Sequence, residues 1–220
     1  MNKRLFILLV LIALFYTLSS PLAPYPFSPF IKVFPILLLL LWALKQLSGS
    51  VRLLTLTALI FSGCGDVLLA IPFEQSFIAG LSAFLVAHLF YIVIFARYVN
   101  EQQLSNARYH HLAALSMLVY SWIVAQLVMP EETVLKFAVI AYIGVISFMC
   151  IAAIFSARNA PWWHLAGALI FALSDTLIAW NAFRESIPLA SIWIMASYYL
   201  AQYLIIKGII QLTANAHRET

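Results

Sequence analysis

Long, unbroken apolar runs alternate along this chain with short connections carrying most of its prolines and charges. The runs cover roughly Leu5–Leu18, Phe30–Leu47, Leu53–Ile71, Ser76–Tyr98, Tyr109–Val128, Thr133–Ser156, Trp162–Ala179 and Ile187–Gln211. About twenty residues at a rise of about 1.5 Å cross a hydrocarbon core of about 30 Å, so each run but the short first one suffices for a span. Continuous apolarity, without strand-like alternation, argues against a transmembrane barrel. Prolines punctuate the connections at Pro21, Pro24, Pro26, Pro29, Pro72, Pro130, Pro161 and Pro188. At a helix start the missing N–H has no partner to lose. The pattern predicts an all-α integral membrane protein of eight transmembrane helices, forming one transmembrane domain over residues 1–220.

Composition agrees. Hydrophobic residues make up 65% of the 220 and charged residues 9%, whereas soluble domains carry about 25% charge. The net charge of +4 comes from basic residues scattered over connections, with no basic stripe, so no nucleic-acid partner is expected. With eight spans, one side collects Lys3, Arg4, Lys45, Arg52, Arg97, Arg108, Arg158, Lys207 and Arg218. The other holds Lys32, Lys136 and Arg184 beside Glu74, Glu131, Glu132 and Glu185. This bias predicts cytoplasmic termini, with a bacterial inner membrane as the default location. Lys3 and Arg4 before the first run, with Ser19 and Ser20 after it, imitate a signal peptide. Retention is expected, since a proline-rich stretch leads straight into another span. Trp162 and Trp163 are expected as interfacial anchors. Cys64 and Cys150 fall in apolar runs and are expected as free thiols. No metal-binding signature occurs, and no cofactor is expected.

Candidate chemistry concentrates in the chain's two aspartates, Asp66 in LIFSGCGDVLLA and Asp175 in LIFALSDTLIAW. A carboxyl at membrane depth is costly and by default marks a functional site. The two segments also resemble each other. Val67-Leu68-Leu69-Ala70 matches Thr176-Leu177-Ile178-Ala179, and Phe77 and Phe183 follow in turn. The acids lie four spans apart, so the copies point the same way: a parallel 4+4 repeat, about 1–100 and 109–212. With the seventh helix ending at Ala179, both acids should sit about 8–10 Å from the far boundary and share a depth.

Lys32 opens the second span from that same side, either to snorkel to the interface or to serve the site. His88 is either a buried histidine held by a hydroxyl or a contact for substrate or protons; Tyr91 lies one turn on. Tyr199, Gln202 and Tyr203 of the last span hold helices together or touch substrate. With Asn181, the residues Lys32, His88, Tyr91, Tyr199 and Gln202 form the set of candidates for substrate contact.

The stretch GCGDVLLAIPFEQSFIAGLSAFLVAHLFYIVIF, the later LIFALSDTLIAWNAF and YYLAQYLI, and Lys32 ahead of Pro35 together resemble the YhhN-like membrane family, which includes the lysoplasmalogenases. The family's lysine-proline pair is here Lys32-Val33. The resemblance implies an eight-helix hydrolase that cleaves the vinyl ether bond of a lysophospholipid drawn from membrane lipid. Its products would be a fatty aldehyde and glycerophosphoethanolamine or glycerophosphocholine, with Asp66 and Asp175 as the catalytic acids.

Two buried carboxyls suit that chemistry on independent grounds. One, neutral, protonates the vinyl ether; the other, ionised, steadies the cation and draws a proton from water. A parallel repeat with an acid in each half also describes a proton- or cation-coupled carrier, the competing reading.

Overall fold

The computed structural model describes residues 1–99, 108–156 and 162–219, with side chains to residue 216. Arg158 and Pro161, used above for orientation and punctuation, lie outside the described residues, as does the side chain of Arg218. Among the described residues there are eight α-helices and no strand: α1 (Lys3–Ser19), α2 (Ser28–Gln46), α3 (Gly49–Ala70), α4 (Ser76–Ala96), α5 (Arg108–Val128), α6 (Thr133–Phe155), α7 (Trp163–Phe183) and α8 (Ala190–Glu219). Each is long and apolar enough to cross a membrane. The chain is an integral membrane protein.

Local chemistry explains the helix starts. The Asn2 side chain accepts from the Leu5 amide at 2.8 Å and caps α1. A short 3-10 turn over Ser20–Leu22 extends the first apolar stretch to 20 residues, which makes good its shortness in sequence. Pro29 occupies the first turn of α2, where its missing N–H costs nothing. Helix α7 runs past Ala179 to Phe183, one turn further than the sequence pattern indicated.

Close helix approach depends on glycine. A Cβ on Gly65 would stand 2.7 Å from the Phe84 ring and 3.2 Å from the Gly80 carbonyl, so this residue lets α3 and α4 touch. A Cβ on Gly167 would meet the Ile205 amide nitrogen at 2.7 Å, which is how α7 approaches α8. The pairs α3–α4 and α7–α8 are the most extensively packed, and the sequence repeat equates them, so the packing fits two four-helix halves. Helices α1–α4 meet α5–α8 chiefly along α4–α6, with α1 and α2 both touching α8. The two sets differ at their first helices. Helix α1 leans on α2 and on α8 of the other half, whereas α5 packs on α6 and α7 of its own.

Candidate active site

Asp66 lies four residues before the end of α3 and is 1% exposed. Lys32 reaches it from α2: Nζ stands 3.3 Å from Oδ1 and donates to the Asp66 main-chain carbonyl at 3.2 Å. From α8, the Tyr198 hydroxyl donates to Oδ2 at 2.7 Å. Its neighbour Tyr199 donates to the Lys32 carbonyl at 2.8 Å. One turn back on α3, Ser62 accepts from Gln202 Nε2 at 3.0 Å, and Gln202 Oε1 accepts from Tyr91 at 2.8 Å. Tyr16 of α1 packs edge-on against Tyr199, with ring centroids 6.4 Å apart.

Lys32, Asp66 and Tyr199 therefore gather in one bonded set with Tyr198, and Tyr91 and Gln202 form a second with Ser62 one turn along α3. Lys32 does not snorkel. Its side chain is buried, and the ammonium turns inward because a carboxylate waits there to offset the cost of desolvation.

Asp175 lies eight residues before the end of α7 and has different company. The Tyr142 hydroxyl of α6 donates to its Oδ2 at 2.6 Å. Among the described residues, no cation lies within ion-pair distance of it. Its carboxyl borders a cleft of about 640 Å3, open side included, between α4 on one side and α5, α6 and α7 on the other. Phe84, Leu81, Met117, Val124 and Ile146 are typical of the walls, and Asp175 is the one charged residue among them. At the end away from the chain termini, Phe77 and Phe183 meet edge to face at 5.5 Å.

The shared depth of the acids does not carry over to their helices. At 1.5 Å per residue, Asp66 is about 6 Å from the end of α3 and Asp175 about 12 Å from the end of α7. The extra turn of α7 beyond Ala179 makes the difference.

Among the described residues no hydrogen bond or ion pair joins the two carboxyls. A series of ring contacts leads from one to the other. Tyr198 meets Phe171 at 5.6 Å and Phe84 at 5.7 Å; Phe171 meets His88 at 4.6 Å; His88 meets Tyr142 at 5.6 Å. His88 is wholly buried with both ring nitrogens unpartnered, so the hydroxyl-held histidine is not what the fold builds. Tyr91, one turn on, has turned to Gln202 instead. Asn181 joins neither network: its Oδ1 accepts from the Ile187 amide at 3.0 Å and staples the connection after α7. Cys64 and Cys150 are free thiols. Trp162 is exposed at the termini-side end of α7, and Trp163 lies under the Lys207 ammonium, 3.4 Å from its ring.

Sequence reasoning missed Tyr142 and Tyr198, the two phenols bound to the acids. Each left a signal. The 109-residue offset from Asp66 to Asp175 carries Lys32 to within one position of Tyr142, so α2 and α6 present their polar groups to the acids from corresponding places. Tyr198 lies four residues before Gln202, on the same face of α8.

A model of the YhhN family matches residues 27–209. The chain belongs to the YhhN family. Similar proteins include the lysoplasmalogenase TMEM86B of Mus musculus, 34% identical over 197 residues, covering 88% of this chain and 80% of that protein. The TMEM86B lysoplasmalogenase of Homo sapiens is 33% identical over 181 residues, 81% of this chain and 74% of that one. A lysoplasmalogenase of Mycobacterium tuberculosis (strain CDC 1551 / Oshkosh) is 31% identical over 189 residues, 82% and 69% respectively. No solved structure matches. Within this YhhN protein, Asp175 is the carboxyl with room beside it, and Asp66 is the carboxyl whose oxygens are already engaged.

Proposed function

We propose that this protein hydrolyses the vinyl ether bond of lysoplasmalogens, releasing a fatty aldehyde and glycerophosphoethanolamine or glycerophosphocholine, with Asp175 and Asp66 in unequal roles. The observation that carries this reading is the apolar cleft whose one charged wall residue is Asp175. The kinship with proteins named lysoplasmalogenase supports the substrate class.

The steps follow from the surroundings of each acid. With mostly apolar walls, and with neutral hydroxyls but no cation beside it among the described residues, Asp175 is suited to act as a neutral acid. It gives its proton to the β-carbon of the vinyl ether, leaving an oxocarbenium ion at the carbon bonded to oxygen. Water adds to that carbon, and its proton returns to the Asp175 carboxylate. The resulting hemiacetal collapses to aldehyde and free glycerol hydroxyl. His88, wholly buried and with both nitrogens unpartnered among the described residues, rests its ring against Tyr142 and positions that phenol beside Asp175.

Asp66 is held ionised by Lys32 and Tyr198 and stands behind Phe84, which is a wall of the cleft and a neighbour of Tyr198. Its negative charge favours the cation across that wall, and Lys32 offsets part of the effect. The excess of basic residues on the termini side supports cytoplasmic termini, and on that orientation the substrate's head group enters at the opposite face.

The test is aldehyde release from lysoplasmenyl-ethanolamine by purified, detergent-solubilised protein, alongside folded Asp175→Asn. Turnover by the wild type that disappears in the variant supports the reading. A folded wild type without turnover, or turnover that survives Asp175→Asn, refutes it.

A further inference from the structure

The Asp175 cleft continues beyond its own walls. On the flank of α5 and α7 lies a second apolar groove of about 780 Å3, open side included, bordered by Ala113, Leu169 and Leu173 among others. It shares Met117, Tyr120 and Ala172 with the cleft. Ala113 and Leu169 precede Tyr120 and Asp175 on their helices, so the groove carries the cleft toward the termini side of the membrane. Leu169 and Leu173 are exposed, which means that the groove opens sideways to the hydrocarbon of the bilayer.

Polar contacts close the passage between the two spaces. The Tyr120 hydroxyl and Thr176 Oγ1 are 2.7 Å apart, beside Asp175, and Ser121 Oγ lies 2.6 Å from Ser147 Oγ one residue along α5. The contact of α5 with α7 is slight beside that of α5 with α6, so α5 can part from α7 while keeping its seat on α6.

We propose that the groove between α5 and α7 seats the alkyl chain of a single-chain lipid whose reacting end lies at Asp175, and that the Tyr120–Thr176 contact is the gate through which the chain enters sideways from the bilayer. This rests on the hydrolase reading. A vinyl ether sits where the chain joins the glycerol, so with that bond at Asp175 the chain must extend further while the polar head points to the Phe77–Phe183 end. Lipid tails are as apolar as the protein walls, so enclosing the whole chain gains nothing over leaving it in the membrane. A groove open along its side suits this balance: the first carbons are held and the rest remain among lipids.

The probe is a lysophospholipid with a diazirine near the end of its chain, photolysed with the full-length protein in nanodiscs. Label is expected on α5 around Ala113 and on α7 around Leu169, in the wild type and in Asp175→Asn alike. Ala113→Trp, which fills the groove, should remove most of that label. It should also lower kcat/KM about tenfold for a sixteen-carbon lysoplasmalogen while sparing a chain short enough to end within the cleft. Should Ala113→Trp fail to fold, Leu173→Ala, which widens the groove, should shift preference toward bulkier, branched chains. Label on other helices, label indifferent to Ala113→Trp, or equal kinetic losses at all chain lengths overturns the proposal. A covalent link to a second copy across the groove overturns it too. Label at the groove in a protein without turnover supports the chain seat and refutes the hydrolase reading; turnover with label elsewhere does the reverse.

Discussion

Asp66 and Asp175 stand on helices that the sequence repeat equates, yet the two halves furnish them in opposite ways. Around Asp66 the space is filled. Lys32 takes one oxygen and Tyr198 the other, and Tyr199 and Tyr16 close in behind. Around Asp175 the lysine's counterpart is Tyr142, a donor without charge, and apolar space adjoins the carboxyl. Helix packing explains the contrast. The first helix of one half leans across to α8 and brings Tyr16 with it, while α5 stays with its own half and leaves the cleft between itself and α4. One carboxyl has both oxygens engaged by side chains from other helices, and the other has open space beside it.

The contrast can be broken most directly by removing each acid in turn. Asp175→Asn should lower aldehyde release by about a thousandfold or more, on the scale of losing an essential proton donor, with thermal unfolding in detergent nearly unchanged. Asp66→Asn and Lys32→Met each leave a buried partner uncompensated and should cost about 3–5 kcal/mol of stability, measured by denaturant unfolding in mixed micelles. The double variant should lose much less than the two costs combined. Equal destabilisation by Asp66→Asn and Asp175→Asn would remove the distinction between the centres.

Finer substitutions sharpen it. Gly65→Val forces a side chain into the Phe84 ring and should cost about 1–3 kcal/mol, read in the same unfolding assay. Removing the two phenol hydroxyls separates structure from chemistry. Tyr198→Phe deletes a bond to a charged group and should cost about 1.5–3 kcal/mol. Tyr142→Phe should instead appear mainly as a fall in kcat of about tenfold, since its hydroxyl touches the reacting carboxyl. Smallest of all, Asn181→Ala should cost about 1 kcal/mol or less and leave kcat within about twofold, because its side chain serves only a connection.

Much of this was legible along the chain, and the residues show why. Eight spans could be read because crossing a membrane is a matter of apolar length, which neighbouring residues settle among themselves. Asp66 and Asp175 stood out because a carboxyl at membrane depth is costly whatever surrounds it. Lys32, Tyr91, Tyr199 and Gln202 could be named by type and span, although the partners they take in the fold, Asp66, Gln202, the Lys32 carbonyl and Ser62, were not visible. Asn181 stands apart from both acids and bonds the connection after α7, a difference that a polar residue near a helix end does not show in sequence. Tyr142 and Tyr198 were passed over because a tyrosine in an apolar helix declares no partner.

The division between the two acids has no local signature at all. It depends on which side chain another helix delivers to the same point, an ammonium from α2 or a phenol from α6, and on whether the neighbouring first helix leans inward or away. Those are consequences of helices packing at a distance in the chain, where glycines such as Gly65 and Gly167 set the approach and the cleft is the space left over. Apolar length and the cost of a buried charge belong to the segment; partnership and empty space belong to the assembled bundle.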